Sequence, residues 1–309
     1  MTFGFLAACS SEETLAQIDL EEAPSSIDEQ RTGSLLAEFH HPRQDREGGM
    51  SVHAQFLDVR GMPVEMAMEA LEVWTPDRSL SAGSCRLRTP DWTKSPSHQG
   101  QVELHLLDVG LITIDSPTHR LRLEGRRLPD LLSAFSGVLY DMDQGIDAQG
   151  DPLDYHPFSL YHFHAPGVRD TGIQDTVLRG TGGFSVELIA PEPIQIVGVS
   201  HHDMSFASTL RLASGTDLIL EWSADHHSTA DVYIDVATGV GPDHPHLKCR
   251  ADDEGTFTIP APILEQLLDE VASVDITIRR VATMEVLVDG LDEAMFIMAA
   301  SDEVTVIFD

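Results

Sequence analysis

The chain has 309 residues, with 51 Asp and Glu against 19 Lys and Arg and a formal net charge of −32. That length allows one or two domains, and a negative field of this size works against binding nucleic acid or anionic lipid while favouring cations or a basic partner. No apolar run reaches the roughly 18 residues that a membrane-spanning helix requires.

The charge is not an acidic tail: residues 191–309 hold 22 acids and 5 bases, and residues 1–190 hold 29 and 14. Only Lys94 and Lys248 are lysines. Low Lys with abundant Asp and Glu fits a salt-adapted, halophilic source, although GC-rich codon usage also favours Arg.

At the N-terminus, Leu6-Ala7-Ala8-Cys9-Ser10 follows an apolar start and precedes an acidic stretch. It resembles the lipobox of bacterial lipoproteins, which needs small residues before the cleavage point and a thiol to carry the diacylglycerol. Lipidation at Cys9 is what this resemblance implies, with Ser10 compatible with sorting to the outer membrane. Only Met1–Ala8 precede it, without Lys or Arg, whereas a secretory signal has a basic region and about 7–15 apolar residues. We therefore expect residues 1–9 to be a truncated signal and lipobox; an ordinary N-terminus with a buried or free Cys is the alternative. Residues 10–48, with Glu12-Glu13, Asp19-Leu20-Glu21-Glu22 and Pro24-Ser25-Ser26, read as an acidic tether.

From Met50 the hydrophobic period becomes two. Val52, Ala54 and Phe56 alternate with polar residues, as do Val102, Leu104 and Leu106, then Leu121 and Leu123, then Phe184, Val186 and Leu188. Such alternation marks half-buried strands. Ala190-Pro191-Glu192-Pro193 reads as a hinge, because two prolines stiffen a linker and do not sit in a central strand. The pattern restarts at Leu218–Trp222, Val232–Val236, His246–Arg250 and Thr256–Ile259. Pro260 then opens a helix whose Ile263, Leu264, Leu267, Leu268 and Val271 share a face. Strands are expected again at Val274–Val281, Met284–Val288, Met295–Met298 and Val304–Phe308. The fold class is all-β, as two tandem antiparallel β-sandwich domains over residues 49–190 and 191–309, with one short helix in the second.

Leu218–Trp222 followed by Asp231–Val236 looks like the second and third strands of fibronectin-III or immunoglobulin-like modules, in which an inward Trp packs between sheets. The wider layout is similar to cell-envelope lipoproteins of myxobacteria and their relatives. It runs through Leu107–Ile112, Leu128-Pro129-Asp130, Gly180-Thr181-Gly182-Gly183, the Pro191–Pro193 hinge, Leu247-Lys248-Cys249-Arg250, Gly255–Pro260 and Ile278-Arg279-Arg280. The resemblance implies location and fold and carries no activity.

The 15 His residues are the leading chemical candidates. His162 and His164, spaced i, i+2 on a strand, share a face and suit Zn²⁺ or Cu²⁺. His156 lies six residues upstream, and His244 and His246 repeat the spacing in a loop. Scattered surface histidine is the bland alternative. Asp141, Asp143, Asp147 and Asp151 around Gly145 resemble a Ca²⁺ loop, although the glycine is displaced from the EF-hand position and no closing Glu is present. An exposed acidic loop reads equally well. Cys85 and Cys249 read as two buried free thiols in different domains, with pairing in an oxidising periplasm as the alternative. Arg179–Gly183 precedes a strand rather than a helix and so is not a phosphate loop. No nucleophile-elbow, zinc-protease or Walker motif occurs. Trp222 reads as core, while Trp74 and Trp92 are candidates for a sugar platform.

These features point to a lipid-anchored protein of the bacterial envelope, in the outer membrane or periplasm, with a structural or protein-interaction role and no catalysis. Its expected partners are the membrane, through the lipid, and another envelope protein, not nucleic acid. No cofactor is required. A periplasmic transition-metal-binding protein, using the His clusters, is the alternative. A carbohydrate-active or hydrolytic enzyme is a third reading, which needs a cleft lined by paired carboxylates.

Overall fold

A computed structural model describes residues 29–44, 48–71, 74–88, 103–132, 135–142, 154–168, 180–225, 230–239, 244–268 and 273–309. In chain order, Gln30–His40 (β1) and Gly49–Arg60 (β2) lead to a short helix, Val64–Ala70 (α1). Ser84–Arg88 (β3), Glu103–Leu106 (β4), Ile112–Asp115 (β5), Arg120–Leu123 (β6), Arg126–Leu132 (β7), Phe135–Met142 (β8), Leu160–Gly167 (β9) and Gly182–Ile189 (β10) follow. After the proline pair come Ile196–Val199 (β11), His202–Asp203 (β12), Thr209–Leu212 (β13), Leu218–Trp222 (β14), Asp231–Ala237 (β15), His246–Ala251 (β16) and Thr256–Ile259 (β17). Ala261–Leu268 (α2) precedes two long strands, Ser273–Val286 (β18) and Glu293–Phe308 (β19).

The fold is all-β, as the alternation indicates, but its large sheet is mixed rather than purely antiparallel. Eleven strands run in the order β3-β16-β15-β18-β19-β1-β2-β4-β8-β7, with β13 also on β19. The β1–β19, β13–β19 and β4–β8 pairs are parallel. Two four-stranded sheets, β10-β9-β5-β6 and β12-β11-β14-β17, pack against it. The sheet crosses the boundary expected at residue 190, because β1 and β3 pair with β19 and β16 of the second half.

Residues 30–40 are not tether. Ser34–Glu38 are buried in a strand with neighbours on both sides, and the run Leu35-Leu36-Ala37 is the near-continuous apolar pattern of such a strand. Cysteine 9 lies outside the described residues. The helix expected after Pro260 is α2, with Leu264 and Leu267 buried and the Ala261 amide donating to Asp217 Oδ1 at 2.8 Å. The helix α1 was not expected; it lays Ala67 against Leu57, Val59 and Leu106 on the outer face of the large sheet.

Two hydrophobic cores result. In the first, Phe56, Phe163, Phe184 and Phe296 interlock between the large sheet and β10-β9-β5-β6, with Phe184 edge-on to Phe296 at 4.8 Å. In the second, Trp222, Ile196, Ile259 and α2 pack on β15, β16, β18 and β19. Burying one such side chain stabilises by roughly 1.5–3 kcal/mol. The β18–β19 hairpin serves both cores: Phe296 and Met298 of β19 enter the first, Val304 and Val306 the second.

Cys85 and Cys249 are not free thiols. They sit opposite one another in the β3–β16 pair and form a disulfide, with S–S 2.04 Å. The spacing of 164 residues concealed this, because β3 returns to the edge of a sheet built largely from the second half.

Arg280 lies on the core-facing phase of β18, following Val274, Ile276 and Ile278, and is fully buried. Its guanidinium pairs with Asp253 at 2.6 and 2.9 Å and donates to the carbonyls of Glu192, Pro193 and Ser223 at 2.7–3.0 Å. Removing one partner of a buried ion pair costs about 3–5 kcal/mol, because the remaining charge is stranded. Arg280→Met is expected to lower the unfolding free energy by about that much, as measured by urea denaturation, whereas Arg211→Met at the exposed Asp309 pair should change it little.

Candidate functional site

The strand β10 is the end of its sheet, and among the described residues it pairs only with β9. Facing it, β18 runs past the last residue paired with β15, Val281, as far as Val286. Between these two strand edges lies a groove of about 910 Å³, lined by Phe158, Leu160, Ser185–Pro191, Ala230, Asp231 and Val281–Met284.

The groove has an apolar rim. Phe158 is 61%, Ile189 59% and Leu160 50% exposed, and Met284 lies opposite. Leu160 and Ile189 are direct cross-strand partners. Phe158 adopts φ 58°, a left-handed conformation that costs a bulky residue of order 1–3 kcal/mol. Its amide bonds to the Ala190 carbonyl at 2.9 Å, and the Ala190 amide returns to Ser159, also at 2.9 Å. The backbone thus holds an exposed aromatic ring beside a strand edge that is unpaired among the described residues. The polar members of the lining include two acids, Glu187 and Asp231.

The same outer face of β9 carries the histidines singled out above. His162 and His164 do share a face, with ring centroids 6.4 Å apart. His162 hydrogen-bonds Ser185 Oγ at 2.7 Å and is the register partner of Glu187 and Asp115. His156 is on the preceding loop, bonded to Thr118 at 2.7 Å, and His244 and His246 are in a separate recess on the large sheet. Among the described residues no group of three or more His, Cys, Asp or Glu is placed to hold a metal. Asp141 sits on β8 and pairs with His53 at 2.5 Å, its register partner on β2. Asp143, Asp147 and Asp151 lie outside the described residues, as does Trp92. Trp222 is core, and its indole N–H donates to Asp253 at 2.9 Å.

On the outward face of the large sheet, Arg279 lies beneath the Trp74 ring, 4.7 Å from its centroid. Its guanidinium bonds Glu38 at 2.8 Å and Asp235 at 2.6 Å, and the Trp74 indole N–H also donates to Asp235, at 2.7 Å. Burial works against ionised Glu38, but Arg279, His40 and Ser301 outweigh it and hold the carboxyl below its ordinary value. This network was not foreseen. Its sequence signal is Arg279 standing out of phase with Val274, Ile276 and Ile278, and Glu38 breaking the apolar run Leu35-Leu36-Ala37 before Phe39.

Neither a protein-family model nor a curated protein matches the chain. Among solved structures, the yeast delta-COP-I mu-homology domain aligns over 93% of this chain and 98% of that chain at 10% identity, with a TM-score of 0.18, which carries no argument.

A depressed folded-state pKa contributes stability that is present above the unfolded carboxyl value and lost as pH falls through the folded one. Thermal unfolding followed between about pH 7 and pH 3 should therefore show a falling acid limb that is shallower in Glu38→Gln, which also has the lower midpoint at neutral pH; parallel limbs would contradict the assignment.

Proposed function

We propose that the chain is a non-catalytic interaction protein of a bacterial cell envelope, tethered through lipid on Cys9 and built from two sandwich units of the immunoglobulin or fibronectin-III kind. Its binding surface is the groove between β10 and β18, which receives an extended segment of an envelope protein by strand addition. The observation that carries the reading is the β10 edge, which among the described residues has no strand beside it and only the Gly182 amide bonded, to the Asp289 carbonyl, next to exposed Phe158, Leu160 and Ile189. Natural proteins usually cover or charge such edges, and peptides that add to them gain main-chain hydrogen bonds while alternate side chains enter pockets. Glu187 on the groove, together with the net charge of −32, favours a segment that alternates apolar and basic residues. The two cores between facing sheets support the sandwich reading.

Selection of eight-residue peptides from a displayed library on the full chain is expected to enrich alternating apolar and Lys/Arg sequences, with binding at least tenfold weaker in Ile189→Asp; peptides that bind the variant equally would refute the groove. Cys9→Ala should move the protein from the membrane to the soluble fraction, and retention on the membrane would refute the tether.

A second reading rests on the His162–His164 pair, whose shared face and 6.4 Å separation suit a transition metal completed by a further ligand. Elemental analysis after incubation with Zn²⁺ and Cu²⁺ should then give about one metal per chain, lost in the double alanine variant; no retained metal ends this reading.

A further inference from the structure

On the outward face of the large sheet, beside Trp74, lies a recess of about 450 Å³, within the range of small-molecule sites. Its ionic groups are matched. Three carboxylates line it, Glu65, Asp77 and Asp235, against four cations, Arg78, Arg88, Lys248 and Arg279. Arg78 is paired outside the recess, with Glu285. Asp77 meets Arg86 at 2.8 Å and Arg88 at 3.9 Å. Asp235 accepts from Arg279 at 2.6 Å and is the register partner of Lys248. In a chain with a net charge of −32, this lining favours neither an anion nor a cation.

Hydrogen-bonding capacity, in contrast, is left over. Among the described residues, the Glu65 carboxylate and the Thr277 hydroxyl on the lining have no hydrogen-bond or ion-pair partner. Lys248 Nζ, with three donors, makes one bond, to the Thr75 carbonyl at 3.4 Å. Three strand or helix elements thus present an acceptor, a hydroxyl that does both, and an ammonium donor to one space. A ligand that is uncharged yet both donates and accepts at many points suits that set, and its bonds to Glu65 and Lys248 are charge-assisted. The wall beside them is apolar, formed by Trp74 and Met68. Trp74 is half-buried and fixed: Arg279 packs on its ring at 4.7 Å, Tyr233 stands edge-on at 6.0 Å, and the indole N–H is held by Asp235 at 2.7 Å. A wall set in place before the ligand arrives lowers the ordering cost of binding.

We propose that this recess binds a neutral saccharide, with the C–H face of a sugar ring against Trp74 and Met68 and its hydroxyls on Glu65, Thr277 and Lys248. A sugar ring is apolar across its faces and carries donors and acceptors around its rim, which is the division the recess shows. The site is separate from the groove between β10 and β18, with which it shares no lining residue.

The test is calorimetric titration of the full chain with three neutral disaccharides, cellobiose, maltose and N,N′-diacetylchitobiose. Saturable one-to-one binding of at least one is expected, with an affinity that does not change with salt, since the ligand carries no charge to screen. Binding should weaken at least tenfold in Trp74→Leu and in Glu65→Ala. Glu65 is exposed on α1, so Glu65→Ala should melt with the wild type and keeps the test valid where Trp74→Leu is unstable. Ile189→Asp, in the groove, should bind the sugar as the wild type does. No saturable binding of any of the three, an affinity that falls as salt rises, or binding that Glu65→Ala leaves intact overturns the proposal.

Discussion

The Arg280 guanidinium is the constraint on which the other features depend. It is an ion placed at a core-facing position midway along the longest hairpin, where the first hydrophobic core gives way to the second. In that setting an unmet charge is costly. Asp253 and the carbonyls of Glu192, Pro193 and Ser223 satisfy it, so three separate segments converge on one side chain. The prolines that read as a stiffened hinge are thereby fixed to the main sheet. The groove lies directly beyond: Pro191 and Val281, on either side of this contact, both line it.

A second buried guanidinium repeats the arrangement. Arg43 pairs with Asp302 on β19 and donates to the carbonyls of Met204, Ala207 and Ile196, while Asp302 accepts from the Ile196 amide at 2.7 Å. Arg279, one residue from Arg280 and on the other face, is held by Glu38 and Asp235. In a chain with so few bases, three arginines thus act as internal fasteners between strands distant in sequence. Compared with well-packed apolar residues of similar volume, buried pairs of this kind add little net stability, but stranding one partner is costly.

Much of the β pattern was legible because alternation is a direct consequence of one buried face. Leu218–Trp222, Val232–Val236 and Phe184–Leu188 appear as strands with the expected inward residues. What failed did so for physical reasons. The strands expected at Val274–Val281 and Met284–Val288 are largely one strand ending at Val286, and those at Met295–Met298 and Val304–Phe308 are one. Ser301 and Asp302 fall between the two expected strands, but Arg43, 259 residues from Asp302, neutralises the carboxylate within the one continuous strand. Acidic flanking sequence concealed β1, whose signal was Leu35-Leu36-Ala37. Parallel pairing of β1 with β19 joins the two ends of the described chain and leaves no local trace. The groove was invisible for the same reason, since its walls come from strands about 100 residues apart. Arg280 was readable in part: it occupies the apolar phase of Val274, Ile276 and Ile278, and a charge in that phase signals a buried partner.

The shared hairpin and its buried arginines tie the two cores into one cooperative body. Differential scanning calorimetry of the full chain tests this most directly. A single transition whose calorimetric and van't Hoff enthalpies agree is predicted. Two resolved transitions, or a calorimetric enthalpy well above the van't Hoff value, would show that the cores unfold separately and would contradict it.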